Sequence, residues 1–402
     1  MKINKIHLKN FKAFKNITMQ NLPRLSVIVG ANGTGKSSLL QVFAFLKESF
    51  LSNLNNAFNK IAGSNGILEA RSRNVTENIE IELQFLKNNN SEIITYFLSI
   101  SDHKGIAFIE REILKYQDKN SNTPLYLLDF SKGQGHFVIN ETDSIKNINS
   151  LKMEKQRLKS DDILALKVVA QLERFPIAMC VGSFIENWHI SNLNIHYTRL
   201  DKEIGYARHL SRDGSNLPLV TEYLYKQHPQ IFKTILLKLS ERIPGIEKVE
   251  AKTTEDRRVI IRFKDRFFED PFLAHDISDG TIKMFAYLIL LYDPKPHSLL
   301  CVEEPENQLY PKLLWELAEE FRTYTIRGGQ VFVSTHAPDF LNAIELDEVF
   351  WLVKKMVTHQ SIGLKMMNNY RHLWQMEIKW VIYGNRAFLK ELIINENAIF
   401  FS

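Results

Sequence analysis

Gly30-Ala31-Asn32-Gly33-Thr34-Gly35-Lys36-Ser37 constrains this chain more than any other stretch. It fits the pattern G-x-x-x-x-G-K-[ST] and separates two segments of different periodicity. Before it, Leu25 to Val29 is a short apolar run that suits a buried strand. After it, Leu39, Leu40, Phe43, Leu46, Phe50, Leu51 and Leu54 recur at helical spacing and predict a helix from Ser37 to about Phe58. Strand, glycine-rich turn and helix in direct succession make a cradle for phosphate. The glycines let the backbone wrap a polyphosphate without a Cβ clash. The N–H groups at the helix start point at the anion. Asn32, Gly33, Thr34, Gly35, Lys36, Ser37 and Ser38 are therefore the candidate nucleotide-binding residues. Lys36 is placed to reach the β- and γ-phosphates, and the Ser37 hydroxyl to ligate Mg²⁺.

Three later stretches supply complementary chemistry. In Leu299-Leu300-Cys301-Val302-Glu303-Glu304-Pro305-Glu306-Asn307, apolar residues run into two acids, as a buried strand with carboxylates at its C-terminal end would. Glu303 is assigned to hold Mg²⁺ through water, and Glu304 to orient and deprotonate an attacking water. Val331 to Pro338 is a second such strand and ends in His336, placed to meet the γ-phosphate or the attacking water. Ser278-Asp279-Gly280-Thr281 precedes a buried helix and by itself reads as a helix cap and anion nest.

The rest of the chain reads as an α/β core split by a mixed insert. Residues 1–90 form an N-terminal lobe with the phosphate loop. Residues 91–248 form β-hairpins followed by helical stretches, Asn147 to about Glu186 (basic at its start) and Pro218 to about Arg242. Residues 249–402 form a C-terminal lobe. Of 402 residues, 45% are hydrophobic and 24% charged, enough for a large core and inconsistent with disorder. A net charge of +5 neither forces nor excludes a nucleic-acid partner. Two cysteines, Cys180 and Cys301, rule out a disulfide scaffold or a Cys-rich zinc module and suit a reducing cytosol. The longest apolar run, Phe285 to Tyr292, is far short of the ~20 residues of a membrane span. The N-terminus alternates like a strand, not like a signal peptide, so a cytoplasmic protein without a membrane partner is expected.

In their order along the chain, these motifs make the sequence resemble the SMC/RecF-like branch of ABC-type ATPases. It is most similar to small stand-alone bacterial AAA-type ATPases related to the ATPase module of OLD-family proteins. Leu8-Lys9-Asn10-Phe11-Lys12-Ala13-Phe14 and Asp213-Gly214-Ser215-Asn216-Leu217 belong to the same resemblance. It implies a P-loop NTPase fold, an ABC-ATPase-like head, that binds ATP and Mg²⁺ and hydrolyses ATP. It also implies a head-to-tail homodimer with two ATP molecules between subunits. Ser278 and Gly280 would then act in trans as the signature loop, and His336 from the switch position. A Q-loop glutamine touching the metal is implied too, with Gln84 the candidate. The chain departs from the family at Tyr310, where a His is usual. It lacks long coiled-coil arms, and the stretch after His336 leaves little room for the Toprim nuclease that relatives carry.

The resemblance further implies an ATP switch that drives or gates a DNA-linked or effector-linked process, with anti-phage defence as the setting and a neighbouring nuclease as effector. An assembly scaffold with negligible turnover is the alternative; a transporter nucleotide-binding subunit fits the acid run and the Ser-Asp-Gly-Thr loop less well. Two basic clusters, Lys152 to Lys159 and Arg257 to Arg266, are readable as solvated faces or as phosphate tracks. The aromatic tail (Trp351, Tyr370, Trp374, Trp380, Tyr383, Phe388) reads as a packed C-terminal element or a partner surface.

Overall fold

A computed structural model describes residues 1–87, 92–118, 123–141, 145, 152–354 and 359–363. The strand Leu25–Val29 (β3) becomes the centre of a six-stranded sheet. Its companions are β10 (Trp188–Ser191), β15 (Leu299–Glu303), β16 (Gln330–Ser334), β17 (Val349–Lys354) and β18 (His359–Gly363), in the order β10-β15-β16-β3-β17-β18. All neighbours are parallel except β17 and β18. A parallel sheet must be covered on both faces, and its strands read as near-continuous apolar runs. Here alternate residues divide between two cores. Ile28, Leu299, Cys301 and Phe332 face the helix Lys36–Leu51 and its surroundings. Val27, Leu300, Val302, Val331 and Val333 face the helices Asp279–Leu291 and Pro311–Ile326.

The other face of the Lys36–Leu51 helix lies in the core beneath an eight-stranded antiparallel sheet. That sheet holds β1 (Lys2–Phe11), β2 (Phe14–Gln20), β4 (Ile79–Lys87), β5 (Glu92–His103), β6 (Ile106–Asp118), β7 (Leu125–Ser131), β8 (Gln134–Val138) and β9 (Met153–Arg157), in the order β2-β1-β4-β5-β6-β7-β8-β9. The boundary expected at residue 90 thus falls inside the β4–β5 hairpin of one continuous sheet. A smaller sheet of β11 (Lys202–Glu203), β12 (Ile246–Thr253), β13 (Arg258–Asp265) and β14 (Phe272–Leu273) packs with the helices Leu217–Gln227 and Pro229–Arg242.

Three predicted helices differ from the structure. The helix predicted from Ser37 to about Phe58 is two, Lys36–Leu51 and Leu54–Ala62, because the Asn53 side chain accepts from Asn56 N at 2.9 Å and caps a new start. The one predicted from Pro218 to Arg242 breaks at His228, since Pro229 disfavours helical backbone at the residue before it. The basic start predicted as helix is the strand β9, where Lys155 lies opposite His136 and Arg157 opposite Gln134. Residues 147–151 and the tail aromatics after Trp351 lie outside the described residues.

Gln330, fully buried at the start of β16, joins the two large sheets. Its amide oxygen accepts from Ile3 N at 2.8 Å, and its nitrogen donates to Ile3 O at 2.9 Å and Pro23 O at 3.1 Å. Truncation leaves a buried N–H and two carbonyls without these partners. We expect Gln330→Ala to lose about 2–3 kcal/mol in urea denaturation, whereas a loss within error would mean that water replaces the amide.

Candidate functional site

The parallel register sets the site. Glu303 is level with Ser334, and Ser334 with Ile28, so β15, β16 and β3 end on one edge. Two strand spacings separate Glu303 from the phosphate loop, roughly 10 Å. The loop leaves β3 at Gly30, where a Cβ would lie 2.7 Å from the Leu352 carbonyl oxygen. It enters the helix at Gly35, whose φ of 100° is left-handed and whose Cβ would lie 2.8 Å from the Phe14 ring. Glycine is required at both. The turn between β1 and β2 thereby forms the back wall of the loop, which gives the opening Leu8-to-Phe14 motif a physical role.

Lys36 is 6% exposed and folds back into the loop, donating to Gly30 O at 2.8 Å and Ala31 O at 3.4 Å. The Thr34 hydroxyl donates to Ala31 O at 2.8 Å and tightens the same turn. Asn32, Gly33 and Ser37 are exposed, and Ser38 is half-buried. A loop with an inward lysine, an exposed hydroxyl at the helix start and bare backbone on its outer side fits a nucleoside polyphosphate with its Mg²⁺.

On the acid side, Glu304 has a left-handed backbone (φ 43°), and its N–H donates to Ser334 O at 2.9 Å. The Asn307 amide donates to Glu304 Oε2 at 3.2 Å. His336 lies between two acids: its Nδ1 is 3.6 Å from Glu304 Oε1 and 3.2 Å from Glu306 Oε1. The His336 N–H also donates to Glu306 Oε1 at 2.9 Å. Two polar atoms at this edge, Ser334 Oγ and Glu306 Oε2, are buried without a hydrogen-bond partner.

Ser278 caps the helix Asp279–Leu291, its Oγ accepting from Thr281 N at 3.3 Å. Asp279 pairs with Arg199 at 2.7 Å. A Cβ on Gly280 would lie 3.4 Å from Gln308 O, so this loop rests on the chain that follows Glu304. Ser278 itself is exposed. Tyr310, the family departure, is also exposed.

The structure does not bring Gln84 to the site. Gln84 lies opposite Lys5 on β1, and its amide oxygen accepts from Asn4 Nδ2 at 3.4 Å. The end of β1 that reaches the phosphate loop is Phe11, six residues away, or roughly 20 Å along a strand. Assigning Gln84 to the metal is therefore corrected: the register of β4 on β1 holds it at the end of the strand pair away from the loop.

Two residues escaped the sequence reading. Glu306 stands in the acid run but had no role, although it is the acid that fixes His336. Lys283 is the lone charge in the apolar stretch Ile282–Leu291, which is the signal that could have found it. It is 2% exposed and donates to Asn307 O, tying the helix that starts at Ser278 to the loop after Glu304. Burial pushes its ammonium down to about 8, opposed by the carboxylates of Glu306 and Glu304. Between about 8 and its ordinary 10.5, the folded chain releases this proton while the unfolded chain keeps it, so the Lys283 contribution to stability rises with pH. We expect the stability difference between the wild type and Lys283→Met to grow in favour of the wild type across that window. Parallel denaturation profiles would exclude a buried, titrating Lys283.

Among the described residues, no helix is long and apolar enough to cross a membrane. A family model described as "AAA domain, putative AbiEii toxin, Type IV TA system" matches residues 25–342. The "Chromosome partition protein Smc" of Methanococcus voltae is 30% identical over 167 residues, which is 41% of this chain and 12% of that protein. The chain thus spans a small part of the length of this relative. Among solved structures, an SmcHead bound to the C-winged helix domain of ScpA superposes with a TM-score of 0.55 at 14% identity, covering 91% of this chain and 100% of that one. An Smc head domain with an extended coiled coil, bound to the C-terminal domain of ScpA derived from Pyrococcus furiosus, has a TM-score of 0.49 at 13% identity, covering 93% and 99%. At the first of these values, the likeness establishes an SMC-head fold of the P-loop NTPase class.

Proposed function

The chain belongs to the AAA-domain family whose model it matches, and on that premise we propose that it is an ATP-binding and ATP-hydrolysing switch. The observation that carries this reading is the shared edge: the phosphate loop, Glu303, Glu304 and His336 stand on three adjacent strand ends of one parallel sheet. Bound ATP with Mg²⁺ supplies an electrophilic phosphorus polarised by the metal. Lys36 gives its ammonium to the phosphates, and Asn32 to Ser38 wrap them. Ser37 and Glu303 would hold the ion, Glu303 through water. Glu304 orients a water and takes its proton. His336, held by Glu306, keeps a ring nitrogen beside Glu304 and the place of the γ-phosphate.

Ser278 and Gly280 have a different task in this reading. Their loop is open to solvent while its helix is anchored by Arg199 and Lys283. Such a loop is available to ATP held by a second copy, which supports a head-to-tail homodimer closed by two nucleotides. The closed state would act on an effector or on DNA in the cytoplasm, with anti-phage defence as the setting. Support for that setting is the family description, which speaks of a toxin system, together with the sequence resemblance. Part of the basic hairpin is already committed within the chain: Arg258 pairs with Asp201, and Lys264 donates to Phe268 O and Glu269 O. That favours a protein effector over DNA.

We expect Mg²⁺-dependent hydrolysis that falls by roughly 10²-fold or more in Lys36→Ala. Turnover equal to that of Lys36→Ala, with an ATP-dependent rise in mass, would instead identify an assembly scaffold. Glu304→Gln keeps the side-chain shape but cannot take the proton, so it should trap ATP and a dimer measurable by light scattering. Ser278→Arg should bind ATP yet neither dimerise nor hydrolyse; normal turnover in that variant excludes catalysis in trans. The trapped Glu304→Gln dimer, tested on duplex DNA across a salt series, separates the two partner classes.

A further inference from the structure

Away from the phosphate edge, two segments distant in sequence bring three metal-ligating side chains together. His209 comes from the loop before the helix Leu217–Gln227, and Asp293 and His297 from the connection between the helix Asp279–Leu291 and β15. Their donor atoms all lie within 4.8 Å of one another, and His209 Nδ1 is 2.7 Å from Asp293 Oδ2. His297 is 6% exposed, and its Nε2 is buried without any hydrogen-bond partner. A buried imidazole nitrogen with nothing to bond is costly.

The surroundings leave that nitrogen free to accept while the other ring nitrogen is engaged. Asn187 Nδ2 donates to Pro296 O at 3.2 Å, which turns Asn187 Oδ1 towards His297 Nδ1, also at 3.2 Å. His297 therefore carries its proton on Nδ1 and its lone pair on Nε2. This second hydrogen bond is the one that orients metal-bound histidines. Asp293 is held by Lys295 N at 2.8 Å. The loop with His209 is fixed by Asn216, whose side chain donates to His209 O at 3.0 Å and accepts from Ser211 N at 2.7 Å. The Asp213-to-Leu217 motif, which has no place in the phosphate site, thus positions His209. A second imidazole, His189, stacks on His297 with centroids 4.8 Å apart, and its Nε2 is also buried and unpartnered.

We propose that His209, Asp293 and His297 form a binding site for one borderline divalent transition-metal ion, Zn²⁺ by ligand type, completed by water. Two imidazoles and a carboxylate are zinc ligands at about 2.0–2.2 Å. Closing the present cluster to that geometry takes a side-chain shift of roughly 1 Å. The ion pins the 293–297 connection, one end of which leads from the Ser278 helix and the other into the strand of Glu303. It is a staple between the two elements that the switch must keep in step, and it does not require the ATPase reading to be right.

The test uses the full chain, stripped with a chelator and returned to millimolar Mg²⁺, which occupies carboxylate sites. Titration with Zn²⁺ alone should show one tight equivalent per chain. Co²⁺ in its place should give visible d–d bands without thiolate charge transfer. His209→Gln changes a partly exposed side chain and should fold, as far-UV circular dichroism checks; it should weaken Zn²⁺ by roughly 10²-fold or more. Asn187→Ala, which leaves all three ligands, should weaken it about 10- to 100-fold through the lost orientation. No stoichiometric uptake by the folded protein overturns the site. So does uptake that is undiminished in both His209→Gln and Asp293→Asn.

Discussion

The parallel ladder through β15, β16 and β3 is the constraint on which the rest depends. Hydrogen bonding between parallel strands fixes which residues are level. Once Glu303 is opposite Ser334 and Ser334 opposite Ile28, the acids and the phosphate loop must emerge on the same edge. A shift of one residue would turn Val302 and Val333 out of one core and put Cys301 and Phe332 into it. The hydrophobic pattern therefore holds the chemistry in place through the strand ladder itself, down to the bond from Thr335 N to Ile28 O.

What was legible in the sequence follows from this. Each of the three strands announces itself as an apolar run with polar residues just beyond its end, so the placing of Lys36, Glu303, Glu304 and His336 beyond strand ends was legible from local pattern alone. Gln84 was not, because an alternating strand tells which face a residue takes and nothing about which end is near the loop. β9 was read as helix because most of its side chains are exposed, leaving it no apolar face to reveal a period of two. Asn53 and Pro229 broke helices whose apolar spacing ran straight through them. The fold class needed only the pattern; the pairing of β4 with β5 across the expected boundary needed tertiary contacts.

The same limit hid the residues that join elements. Glu306 and Lys283 matter through contacts made across 30 and 24 positions of chain. Arg199 reaches Asp279, and Gln330 reaches Ile3 across almost the whole chain. His209 lies more than eighty residues from Asp293 and His297, and the Asn216 contact that fixes its loop gives no local sign that it meets them. Long-range polar ties of this kind carry little local signature, yet they decide how motion at one element is felt at another.

Glu304 is the one acid of the run held in a left-handed backbone. A side chain with a Cβ pays of order 1 kcal/mol there, and Gly or Asn is more at ease. The proposed general base thus occupies the place where its own loss would relax the chain. Random drift at this codon has a downhill direction, towards better-folded proteins with a silent site. A stable but inert relative with Gly or Asn at this position would be the expected fossil of a lineage in which selection for turnover had lapsed.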